Sequence, residues 1–217
     1  MIIVIDGPAG SGKSSTAKAL AEKHALQFLD SGAFYRACTW VDLYKKGELN
    51  LIDCLRMGGL RFELEGDQVL IYWEQQAIGT EIRTKQVNAH VSNVATNAIV
   101  RDWVNMQMRK LVQKGQFIAD GRDLGTVVFP DAALKFWLIA RPEVRAARRF
   151  KEMQEQGLEA DYQQVLENIL ERDRIDSSRD TAPLKKAEDA IEIDTSELNF
   201  SSQVEKISSY ITKLLAT

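Results

Sequence analysis

Cysteine is scarce in this 217-residue chain. Cys38 and Cys54 are the two present and form no CxxC pair, so zinc-ribbon and thioredoxin-like chemistry are not indicated. That usage fits a reducing compartment, and a cytoplasmic protein is expected. Charge of one sign is also lacking. At a formal net charge of −3, neither a nucleic-acid polymer nor a polybasic membrane anchor is an expected partner. No apolar run approaches the roughly 20 residues that span a bilayer. Residues 1–6, Met-Ile-Ile-Val-Ile-Asp, are too short and lack the basic start of a signal peptide. What is plentiful is core-forming material: 45% of the residues are hydrophobic, too many for a disordered chain.

The length suits one α/β domain with a small insert. Residues 2–5 are apolar and mostly β-branched, which predicts a buried strand. A Gly-rich loop and a helix from about Lys13 to Ala25 follow. Further strands are predicted at 26–29, 116–119, 134–139 and 190–193, with helical segments between them. That alternation implies a parallel sheet covered on both faces. One stretch breaks the rhythm: 60–64 and 69–73 each alternate about a Glu65-Gly66-Asp67 turn, the signature of a β-hairpin within an inserted subdomain.

Near the C-terminal end, Pro142 and Gly157 bracket a helix over 142–156. Asp161 can cap the next one, whose apolar stripe is Tyr162, Val165, Leu166, Ile169 and Leu170. A last helix is expected from about Gln203 to Leu215, with Val204, Ile207, Ile211 and Leu214 facing inward. The crowding of Arg141, Arg145, Arg148, Arg149 and Lys151 reads either as a solvated helix face or as an anion site on a mobile flap.

The chemistry begins at residues 7–14. Gly7, Pro8, Ala9, Gly10, Ser11, Gly12, Lys13 and Ser14 match the P-loop pattern G-x-x-x-x-G-K-[ST], with Ser15 beside it. Such a loop wraps phosphate in backbone N–H groups, aided by the positive end of the helix that follows. Lys13 should reach the β- and γ-phosphates of ATP, and Ser14 should offer its hydroxyl to Mg²⁺. Ligands of open parallel sheets bind beyond the carboxyl ends of the strands. Predicted strands end there at Asp30, Asp120 and Asp194, and the first two run on into segments that pack carboxylate, glycine and arginine together.

Residues seven apart lie on nearly one helix face. Val165, Arg172 and Arg179 share such a line, and Tyr162, Ile169 and Asp176 share another. If the helix runs that far, charges point inward where packing stops, and a phosphate or nucleotide would be a suitable partner. If it frays near Ile175, they are solvated. Val87, Val94 and Arg101 repeat the spacing upstream, where Asn97 could interrupt.

Taken together, these segments resemble bacterial cytidylate kinases over nearly the whole chain. The matching motifs are the P-loop, residues 30–36 (DSGAFYR), 81–84 (EIRT), 120–130 (DGRDLGTVVFP) and 171–173 (ERD), followed by Asp176, Arg179 and Ala182-Pro183-Leu184. Phe34 stands where that family often has a smaller aliphatic residue. The resemblance implies a P-loop nucleoside monophosphate kinase fold over 1–217: a five-stranded parallel core flanked by helices, an acceptor-binding insert near 37–86 with antiparallel strands, and a short helical lid near 141–160.

It also implies transfer of phosphate from ATP to CMP or dCMP, with Mg²⁺; separately, a monomer is expected. By motif, Ser31, Arg36 and Arg122 belong to the monophosphate site. Ser92, Arg101, Asp123 and Arg179 would contact cytosine, and Arg172 and Asp176 the sugar side. Arg145, Arg148 and Arg149 look like lid arginines. The expected catalytic cations are Lys13, Arg36, Arg122, Arg148 and Arg172. Rival readings from the residues alone are another small-molecule kinase, a nucleotide-dependent switch and a nucleic-acid-dependent ATPase.

Overall fold

The computed structural model describes residues 1–217 apart from Lys46, Glu48, Asp67 and Thr217. Its core is a five-stranded parallel sheet. β1 (Ile2–Asp6) is followed by β2 (Gln27–Asp30), and a separate antiparallel sheet holds β3 (Leu60–Glu65), β4 (Gln68–Trp73) and β5 (Gln76–Ile78). β6 (Phe117–Gly121), β7 (Leu134–Ile139) and β8 (Ile191–Asp194) complete the core, in the order β2-β6-β1-β7-β8. The chain divides into two compact units, Met1 with Gln27–Phe117 and Ile2–Leu26 with Ile118–Thr217.

The first unit contains all of 37–86. α2 (Ser31–Tyr44) starts where Asp30 accepts a hydrogen bond from the Ala33 N–H, and α3 (Leu51–Arg56) starts on an Asn50 cap. The hairpin pairs Leu60 with Trp73 and Glu65 with Gln68. Asp67, the last residue of the expected turn, lies outside the described residues. Sequence periodicity missed β5, a three-residue strand too short to alternate visibly. Phe34 has its own reason to be large: its ring stacks on Phe62 with centroids 3.9 Å apart, and Phe62 in turn meets Trp103.

α4 (Lys85–Val94) and α5 (Ala98–Val112) correct a second expectation. The Asn97 side chain accepts from Ile99 and Val100 N–H and so opens a new helix. Val87, Val94 and Arg101 therefore do not share one helix face. Both cysteines of this unit are buried, and burial pushes the Cys38 thiol far above its ordinary range.

In the second unit, β1 pairs in parallel with β7, Ile3 opposite Leu134, and β7 with β8, Phe136 opposite Ile191. Their facing residues Ile3, Val4, Ile5, Phe136, Leu138 and Ile193 are almost fully buried, as expected of strands covered on both faces. α1 (Lys13–His24) lies against α8 (Phe200–Leu215). α6 (Pro142–Glu155) packs on α7 (Tyr162–Ser177) through Ala146, Val165 and Ile169. The apolar stripe of α7 is narrower than its sequence suggests. Leu170 is 47% exposed, because one residue past Ile169 the helix has already turned away. Tyr162 is also exposed, with its ring edge against Phe150. Asp161 caps α7 as expected, and the helix does run past Ile175.

Gly7 leaves β1 at φ +150°, where a Cβ would collide with the Leu138 carbonyl. Gly7→Ala should therefore lower stability by about 3 kcal/mol or more, at the upper end of overpacking costs. A urea midpoint equal to that of the parent chain would show that β7 can yield.

Candidate active site

β1 ends in a carboxylate and hands over directly to the Gly-rich loop. Lys13, the first residue of α1, is buried at 4% exposure. Its ammonium donates to the Pro8 carbonyl at 2.7 Å and reaches Ser11 Oγ at 3.4 Å. Burial pushes this ammonium well below its ordinary pKa range, and the Arg122 charge pushes the same way. Asp120 and Asp6 oppose that shift, and Arg172 adds to it. Of the charges expected to point inward from α7, Asp176 and Arg179 do so, whereas Arg172 is exposed.

The carboxylates around them have separate tasks. Asp6 accepts from the Leu124 N–H at 3.1 Å and the Gly125 N–H at 2.7 Å. That holds the chain just after Arg122 and Asp123. Burial pushes Asp6 up to about 7 against the pull of those two hydrogen bonds. Asp120, on β6, accepts from the Ser14 hydroxyl at 2.5 Å. Asp176, on α7, accepts from Arg122 Nε at 2.9 Å and pairs with Arg179. Its burial works to raise the pKa, but Arg122 and Arg179 outweigh burial and hold it below the usual carboxylate range. Asp123 is buried at the foot of the turn over 124–128.

The arginines of α6 divide. Arg145 is buried and donates to the Ala140 and Ala9 carbonyls and to Asp173. Arg148 donates to the Thr195 hydroxyl and carbonyl and to the Leu198 carbonyl. Arg149 pairs with Glu152 on the surface. It is Arg145, rather than Arg148, that touches the P-loop.

A second cluster lies in the first unit. Arg36 donates to Asp30 at 2.6 Å, and the exposed Arg83 donates to the same carboxylate at 3.1 Å. Ser31 is buried at the start of α2. Arg101 is among the most buried side chains, donates to the Ala95 carbonyl at 3.1 Å and stands over the Tyr35 ring at 5.3 Å. Ser92 is half-buried on α4. Sequence reasoning passed over Asp6 and Asp173 as candidates. The only signal for Asp6 was an acid closing an apolar strand immediately before the loop. Asp173 stands between Arg172 and Asp176, and its hydrogen bonds are with residues far away in the chain.

The family model described as "Cytidylate kinase" matches residues 3–213. The chain belongs to the cytidylate kinase family. A Clostridium perfringens relative named cytidylate kinase is 43% identical over 213 residues, 97% of each chain. One from Fusobacterium nucleatum with the same name is 42% identical over 219 residues, covering 99% of this chain and 98% of that one. Among solved structures, TT1252 from Thermus thermophilus has a TM-score of 0.51 at 17% identity, covering 98% and 96% of the two chains. A shikimate kinase from Bacteroides thetaiotaomicron has a TM-score of 0.50 at 14% identity, covering 100% and 99%. At that identity these two share the fold alone. In the cytidylate kinase frame, residues 3–213 include every motif from the P-loop to Arg179.

Asp6 gives this site a pH signature. Its pKa in the folded chain is about 7, above the ordinary 3.8. Its contribution to stability is therefore full below about pH 4 and is lost as pH rises through 7, a change of up to roughly 4 kcal/mol. Asp6→Asn should flatten the dependence of the urea midpoint on pH between 4 and 7, whatever its absolute stability. An equally steep profile in the variant would assign the effect to another group.

Proposed function

We infer that this chain transfers the γ-phosphoryl group of ATP to CMP or dCMP, giving ADP and CDP or dCDP. The observation that carries the reading is the geometry of the second unit: a buried Lys13 ammonium seated on the P-loop at the Pro8 carbonyl and Ser11 hydroxyl, and the Arg122 and Arg179 guanidiniums gathered on Asp176. Buried cations need anionic partners, and phosphate oxygens suit them. A single nucleotide on the P-loop would need Lys13. The arginine set beyond it suits a second phosphorylated substrate.

The P-loop residues from Gly7 to Ser15 hold the ATP phosphates. Mg²⁺ fits the residues present: the Ser14 hydroxyl and Asp120 carboxylate already lie within hydrogen-bond distance of each other. A hydroxyl, a carboxylate and the nucleotide's own oxygens are the donor set this ion prefers. When bound with ATP, it supplies charge neutralisation on the phosphates.

An oxygen of the CMP phosphate forms the new bond to the γ-phosphorus while the bond to the bridging oxygen of ADP breaks. That nucleophile is already an anion, so no general base is required. Charge spreads over the outer oxygens, and the chain's work is positioning and neutralisation. Lys13, Arg36, Arg122, Arg148 and Arg172 form the cationic set. Planar guanidinium forks suit phosphate oxygens better than ammonium does.

By family motif, Ser31, Arg36 and Arg122 hold the acceptor phosphate. Ser92, Arg101, Asp123 and Arg179 read cytosine, and Arg172 and Asp176 lie at the sugar. Cytosine offers an amino donor at N4 and acceptors at N3 and O2, so a buried carboxylate such as Asp123 can accept from N4. Uracil would turn its O4 toward that carboxylate and leave buried groups unmatched. Residues 37–86 serve as the acceptor insert and 141–160 as the lid, in a monomer, with all motif residues supplied by one chain.

Product analysis with ATP, Mg²⁺ and CMP, dCMP, UMP or AMP tests the reading. CMP and dCMP should be phosphorylated and UMP poorly. Equal turnover of UMP would remove the assignment of Asp123. Lys13→Ala should lower turnover by roughly a hundredfold or more, and full activity in that variant would take Lys13 out of the transfer.

A further inference from the structure

The P-loop peptide at Ala9 is held at both of its polar groups. Its N–H donates to Asp173 Oδ1 at 2.9 Å, and its carbonyl accepts from Arg145 Nη1 at 2.7 Å. The same Nη1 donates to Asp173 Oδ2 at 2.6 Å, closing a ring of three residues. Arg145 is fixed in turn by its Nε, which donates to the Ala140 carbonyl at 2.9 Å. Ala9 and Arg145 are both buried and Asp173 is half-buried, so water competes with this ring from the Asp173 side alone. The loop also closes against it. Gly10 has φ +72°, and a Cβ there would meet Arg145 Cβ at 3.3 Å and Ile169 Cδ1 at 3.4 Å.

The ring has a reach beyond the loop. Asp173 and Asp176 are three residues apart on α7, so they project from neighbouring positions on one side of the helix. Asp173 holds the donor loop, and Asp176 holds Arg122 and Arg179. One helix thereby fixes the shape of the phosphate cradle and the placement of two guanidinium groups.

We propose that Asp173 and Arg145 are positioning residues for the donor nucleotide: they clamp the Ala9 peptide and hold the P-loop in the shape that receives the ATP phosphates. Neither is a catalytic residue, because both act through the backbone of Ala9. The proposal rests on the kinase reading of the site, and its test separates the two.

Wild-type protein and the Asp173→Ala, Asp173→Asn and Arg145→Lys variants are compared in two measurements. One is calorimetric binding of Mg-ATP without acceptor. The other is steady-state kinetics with ATP varied at saturating CMP, and then CMP varied at saturating ATP. Asp173→Ala should weaken ATP binding and raise the KM for ATP tenfold or more, with the KM for CMP changed less than twofold. Arg145→Lys should follow in the same direction. Asp173→Asn, which keeps an oxygen for the Ala9 N–H, should lie between wild type and alanine. If Asp173→Ala does not fold, the isosteric Asp173→Asn carries the comparison, with at least a threefold rise in the ATP dissociation constant expected. A role in packing alone would lower thermal stability and the active fraction while leaving ATP affinity and the KM for ATP within twofold of wild type, and that result overturns the proposal. Failure of wild type to phosphorylate CMP would defeat the kinase reading instead, and the binding measurement would still decide the clamp.

Discussion

A lysine ammonium taken out of water loses a hydration shell worth several kcal/mol, and it stays charged only where oxygen atoms replace that shell. Lys13 is in that position, held by the Pro8 carbonyl and Ser11 hydroxyl, with Asp6 and Asp120 opposing its loss of a proton. Arg122 and Arg172 work against it. Much of the second unit can be understood as managing that balance. β1 delivers Asp6, β6 delivers Asp120, and α7 delivers Asp176 to restrain Arg122. The apolar strands beneath supply rigidity, and the polar groups at their carboxyl ends supply a field already set up before any phosphate arrives.

The framework was largely legible because it follows from periodicity and local signals. The buried strands, the Asp161 cap and the stop at Gly157 all come from residues that act on their immediate neighbours. The hairpin was visible because its two strands alternate, whereas β5 has too few residues to show a period. The misread positions share a cause. Leu170 is apolar but turned to water, since only the tertiary partner of α7 decides how wide its buried stripe is. Arg101 is buried, but on a helix begun at Asn97 rather than on a continuation of the one before.

The site divides the same way. The P-loop could be read because its geometry demands glycine, lysine and serine at fixed spacing. Asp6 and Asp173 could not, because Asp6 binds the peptide groups of Leu124 and Gly125, which carry no residue-type signature, and Asp173 binds the Ala9 peptide and an arginine 28 residues away. The arginine-rich segment shows the limit of composition. Three arginines within five residues do three different things: Arg145 braces the loop, Arg148 holds the carbonyls after β8, and Arg149 makes a solvent-exposed pair. Helical phase separates them, and only the packed structure says which phase faces what.

The sheltered thiols have a practical consequence. Cys38 and Cys54 make up all the sulfhydryl groups of the chain, and both are enclosed, with Cys38 held strongly in its unreactive protonated form. The native protein thus offers alkylating and maleimide reagents almost nothing to attack. A single cysteine engineered at an exposed position of α6 would carry a spectroscopic label against a silent background, and the surroundings of that helix could be followed in the otherwise unaltered enzyme.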